Sequence, residues 1–113
     1  MTEKTVLIVD GDTASRNFLA RTYDQNQCRV LETSLGREGL VLAWRERPDL
    51  ILVDPNNTDL PGEELLRKLR ADARTASVPA IALSSDPNPL RKKPAWRRAL
   101  TNTFINRRRT FPC

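Results

Sequence analysis

Four short, almost wholly apolar runs divide the chain, and stretches with helical spacing separate them. Thr5-Val6-Leu7-Ile8-Val9-Asp10 is the first. It is β-branched, lacks polar alternation and ends in an acid, the pattern of a strand buried on both faces. Asp12 or Thr13 can cap a helix, and Phe18, Leu19, Thr22 and Tyr23 recur at three- and four-residue spacing. That spacing predicts a helix over 13–25, ended by Gln25-Asn26-Gln27. Cys28 to Thr33 reads as a second strand, and Gly36 to Arg47 as a helix with Leu40, Val41 and Trp44 on one face, stopped by Pro48. Asp49 to Asp54 repeats the buried-strand pattern and again ends in an acid. The polar stretch Pro55 to Pro61 leads into a helix over Gly62 to Ala71, with Leu65, Leu66 and Leu69 as its buried stripe. Val78 to Leu83 is the fourth strand and runs into Ser84-Ser85. The order β-α-β-α-β-α-β with short connections calls for a parallel sheet covered by helices on both faces.

Beyond Ser85 the regularity breaks. Asp86-Pro87-Asn88-Pro89 suits neither a helix nor a central strand, and Arg91-Lys92-Lys93-Pro94 is a basic turn. One more helix is expected over 95–107, with Trp96, Leu100 and Phe104 on its apolar face. Residues 1–113 therefore read as one domain: a regular body over 4–85 and an irregular basic segment over 86–113. A chain of this length buries ~60–70% of its unfolded surface, enough for one core. The net charge of +5 conceals an asymmetry. Residues 1–90 carry 11 Lys/Arg against 14 Asp/Glu, whereas 91–113 carry 8 Lys/Arg and no acid. No apolar run approaches the ~18 residues of a membrane helix, and no basic leader precedes the first strand. The expected compartment is the cytoplasm. Histidine is absent, which removes imidazole acid–base catalysis, Ser-His-Asp hydrolysis and most zinc sites.

Open parallel sheets present ligands at the carboxyl ends of their strands. Those ends carry Asp10, Asp54 and Ser84, with Asp12 just after the first. For Asp12 alone, capping the next helix is the simpler role. Asp10 and Asp54 both close all-apolar strands, outside plain cap positions. Converging carboxylates favour a cation between them, and an oxygen-only donor set favours Mg²⁺ or Mn²⁺.

Val6-Leu7-Ile8-Val9-Asp10, Pro48-Asp49-Leu50-Ile51-Leu52-Val53-Asp54 and Pro79-Ala80-Ile81-Ala82-Leu83-Ser84 resemble the receiver domains of response regulators in bacterial two-component signalling. The resemblance covers about residues 4 to 85. It implies a three-layer flavodoxin-like fold with strand order 2-1-3-4-5. It also implies a phosphorylation switch rather than a turnover enzyme. Asp54 matches the phosphoacceptor, which takes its phosphoryl group from a partner histidine kinase or phosphotransfer protein. Asp10, with Asp12 as a candidate helper, matches the acidic site for Mg²⁺. Asn56 matches the residue whose main-chain carbonyl also ligates the metal. Ser84 matches the hydroxyl that meets the phosphoryl oxygens and carries the switch.

The departures from that pattern are specific. Gly11 stands where the family usually has a second metal-binding acid. Thr58 replaces a common proline, and Pro55 removes a main-chain N–H beside Asp54. No apolar fifth strand is evident, so the fifth-strand region reads as atypical or incomplete. Lys93-Pro94 copies the dipeptide that closes that strand in the family, which makes Lys93 a candidate phosphate contact, although it follows Ser84 by only nine residues. Without a fifth strand, the fourth is an edge that the 95–107 helix or a second copy of the chain would cover. Gly11, Pro55 and the missing strand favour a second reading, a phosphorylation-independent pseudo-receiver acting as an interaction or dimerisation module. The basic tail offers a surface for nucleic acid. The place of Trp96 and Phe104 on the apolar helix face argues for core packing instead.

Overall fold

The computed structural model describes residues 3–54, 59–84 and 105–106, with Ser84, Ile105 and Asn106 placed by their backbone alone. Strands β1 (Thr5–Val9), β2 (Arg29–Thr33), β3 (Leu50–Val53), β4 (Ala80–Ser84) and β5 (Ile105–Asn106) form one sheet in the order β2-β1-β3-β4-β5. Every pairing is parallel. Helices α1 (Thr13–Gln25), α2 (Gly36–Glu46) and α3 (Gly62–Ala71) connect the first four strands. The expected receiver-type architecture is therefore present.

The strand period sorts the core into two layers. Leu7 and Val9 of β1 face α2 and α3, where they meet Leu40, Ala43, Leu65, Leu66 and Leu69. Val6 and Ile8 face α1, where they meet Leu19 and Tyr23. Trp44 packs against the first layer, whereas Tyr23 is wholly buried in the second. β1 and β3 are covered on both faces, which is why their sequences show no polar alternation.

Three expectations change. The buried stripe of α2 is Gly36, Gly39, Leu40 and Ala43, while Val41 is half exposed. On α1, Phe18 is likewise exposed. Small residues line α2 because it lies close to the sheet: a Cβ on Gly39 would stand 2.6 Å from Val9 Cγ2. The third change is β5. Ile105 and Asn106 pair with Leu83 and Ser84 where the sequence predicts the end of a helix. Pairing takes up the open edge of β4. The rest of the expected 95–107 helix lies outside the described residues, as does the Asp86–Pro94 turn.

The Gly39 contact sets a sign. Ala normally gains ~1 kcal/mol over Gly inside a helix. Here the added methyl meets a fully buried β-branched side chain whose χ1 is stiff. Overpacking of this kind costs ~1–3 kcal/mol. Gly39→Ala should therefore lower the urea unfolding midpoint, with a net loss on the order of 1 kcal/mol. A raised midpoint would show that α2 can move away from β1.

Candidate functional site

β1 and β3 lie side by side with Val9 opposite Val53. The next residue of each strand is an aspartate, so Asp10 and Asp54 leave the sheet at the same level. Backbone bonds extend past both strand ends: the Asp10 N–H donates to Thr33 O at 3.0 Å, and the Asp54 N–H donates to Val9 O at 2.7 Å. Asp10 is wholly buried and Asp54 is 8% exposed. Acids at such positions follow from strands with no polar residue to spare. The carboxylates sit where the backbone leaves the apolar layers.

The turn into α1 orients Asp10. The Asp12 N–H donates to Asp10 Oδ1 at 2.9 Å. Asp12 itself is exposed at the α1 N-cap and makes no side-chain cap bond. Arg16, one turn into α1, donates from Nη1 to the Asp10 main-chain oxygen at 2.8 Å, and its Nε lies 3.4 Å from Glu32 Oε1. Nothing in the sequence spacing singles out Arg16. Ser84 ends β4, the strand beside β3, so its backbone closes the same edge. Its side chain, Asn56 and Lys93 lie outside the described residues.

Asp59 is the other residue that sequence reasoning missed. Its Oδ1 accepts from the Gly36 N–H at 2.8 Å and its Oδ2 from the Arg37 N–H at 3.0 Å. The Arg37 N–H foremost, with that of Gly36, holds the Asp59 carboxyl below the usual carboxylate range, against an opposing desolvation. It is ionised throughout the neutral range.

Among the described residues no group of three His, Cys, Asp or Glu side chains is placed to hold a metal. Two carboxylates at neighbouring strand ends nonetheless fit Mg²⁺, which commonly takes one or two carboxylates and fills its other positions with water and phosphate oxygens. Gly11 brings no side-chain donor.

The sequence and the fold both have counterparts among known proteins. A family profile described as the response regulator receiver domain matches residues 6–104. The chain is 31% identical over 80 residues to protein PilH of Pseudomonas aeruginosa, spanning 71% of this chain and 66% of that protein. It is 38% identical over 80 residues to the KDP operon transcriptional regulatory protein KdpE of Escherichia coli, spanning 71% of this chain and 34% of that protein. The matched part is thus about a third of the length of the KdpE relative and just under two thirds of the other. Among solved structures, chemotaxis response regulator CheY4 of Vibrio cholerae superposes with a TM-score of 0.81 at 24% identity, covering 94% of this chain and 91% of that one. The receiver domain of sensor histidine kinase PA1611 from P. aeruginosa, solved with a magnesium ion coordinated in its active-site cleft, gives 0.84 at 22% identity, covering 96% and 88%.

Proposed function

The chain belongs to the response-regulator receiver family, whose members act as phosphoacceptor switches, and from that premise we propose that Asp54 is the residue that takes the phosphoryl group. The observation that carries this reading is the register of β1 against β3, which brings Asp10 and Asp54 to one sheet edge. An Asp54 carboxylate oxygen attacks the donor's phosphorus, forming an O–P bond as the P–N bond to the donor imidazole breaks. Mg²⁺, when bound, supplies positive charge to the phosphoryl oxygens. Asp10, held by the Asp12 N–H, and Asp54 would hold that ion through their carboxylates, and the Asn56 main-chain carbonyl would add a further contact. Asp12 is an auxiliary acid. The Ser84 hydroxyl donates to a phosphoryl oxygen and transmits the change to β4, and Lys93 is a secondary phosphate contact. The new charge biases a two-state equilibrium.

The donor is a histidine kinase or phosphotransfer protein, and the compartment is the cytoplasm. Residues 1–113 act as a single receiver-like domain. No helix among the described residues is long and apolar enough to cross a membrane. A second reading, the pseudo-receiver that docks or dimerises without phosphorylation, is favoured by Gly11 and by the two-carboxylate set. Nucleic acid binding through the 91–113 segment is a separate proposal, which steep salt dependence would support. Incubation with acetyl phosphate and Mg²⁺, then intact mass, separates the two main readings. One phosphoryl adduct that requires Mg²⁺ is expected. No adduct, together with no binding of beryllofluoride, would leave the pseudo-receiver.

A further inference from the structure

Helix α2 starts without a cap of its own. Leu35 occupies the N-cap position and makes no side-chain cap bond. Asp59 meets the first-turn N–H groups instead, from 22 and 23 residues away. A carboxylate at a helix N-terminus satisfies orphan donors and complements the macrodipole. A second contact is independent of that charge. A Cβ on Gly36 would stand 2.8 Å from Leu60 O and 2.9 Å from Leu60 Cβ, so the backbone of α2 lies directly against the residue after Asp59. Leu60 is buried in the α2–α3 layer.

Asp59 lies on the segment that leaves Asp54. At the near end, Asp54 is anchored by its N–H to Val9 O. At the far end, Asp59 and Leu60 are anchored to α2. Four residues join the anchors. At ~3.3–3.6 Å per residue, the connection reaches no further than these few residues allow, so the cap bounds where the chain leaving Asp54 can run. We infer that Asp59 is a positioning residue for Asp54: its two-pronged cap ties the segment leaving the phosphoacceptor to the first turn of α2, so that helix and site hold a single arrangement. The inference rests on the reading of Asp54 as the phosphoacceptor.

Asp59→Ala removes both acceptors, and Asp59→Asn keeps one. Both variants and the wild-type chain would be phosphorylated with acetyl phosphate and Mg²⁺ across donor concentrations, so that the limiting rate separates from donor half-saturation. Unfolding midpoints and amide spectra would accompany the rates. The limiting rate in Asp59→Ala should fall on the order of tenfold or more, because small misplacements at a reacting group are costly. Asp59→Asn should recover part of it, and the Gly36 and Arg37 amides should lose protection. A limiting rate in Asp59→Ala indistinguishable from wild type, with those amides unprotected, would overturn the inference: the cap would then serve α2 alone. A wild-type chain that takes no phosphoryl group would instead overturn the reading of Asp54. The Asp54 amide resonance then decides the coupling. A shift on Asp59→Ala supports it, and an unmoved resonance overturns it.

Discussion

Asp54→Asn should take up no phosphoryl group under conditions in which the wild-type chain gains one. The substitution replaces an anionic oxygen nucleophile with a neutral amide of nearly the same shape, so it removes reactivity and leaves volume alone. The residue is only 8% exposed, which makes volume matter. The bond that holds this end of β3, from the Asp54 N–H to Val9 O, belongs to the backbone and persists in the variant. A folded but inert protein is therefore expected: the same urea midpoint to within an ordinary point mutation, and no adduct by intact mass. Asp10→Asn makes the instructive contrast. It leaves the nucleophile in place and weakens the metal's surroundings, so uptake should slow without vanishing. An adduct on Asp54→Asn would place the phosphoryl group on another residue and end this assignment.

Gly11→Asp should tighten Mg²⁺ binding by at least the ~10–100-fold that outer-shell partners alone are worth in metal sites. The backbone permits the change. No glycine among the described residues has a positive φ, and Gly11 is exposed in the turn between Asp10 and Asp12. An added carboxylate there would enlarge a donor set that now has two members at the strand ends. Titration calorimetry with MgCl₂ on both proteins measures the difference directly. Tighter binding would identify a receiver whose metal affinity has been turned down by one residue. Equal affinity would mean that the cleft does not gather oxygen donors around a cation, and the interaction module would become the better description.

The parts of this fold that were legible in the sequence are those written in local patterns. β1, β3 and α3 announce themselves because an all-apolar run and a Leu65-Leu66-Leu69 stripe each have one reading. Asp10 and Asp54 stand out for the same reason, as acids at the ends of such runs. What escaped was decided by contacts across the fold. Asp59 looks like one more polar loop residue, since its partners lie 22 and 23 residues earlier. Arg16 looks like the solvent side of a helix, yet it reaches the Asp10 carbonyl. On α2, hydropathy selects Val41, whereas the sheet selects Gly39 and Ala43 because close approach rewards small volume over apolar character. β5 is two residues long, too short to carry any period.

The two apolar layers also differ in colour. Tyr23, the chain's single tyrosine, is sealed under α1, and Trp44 lies on the opposite side of the sheet with Arg74 5.3 Å from its ring centroid. With the other tryptophan, Trp96, changed to Phe, tryptophan emission would report the Trp44 face alone, and with both tryptophans changed to Phe, tyrosine emission would report the other, one optical channel per face. Coincident denaturation traces from the two would mark a sheet that melts with both coverings as a single cooperative unit. Traces that part would show which covering lifts first, and would give each face its own local stability.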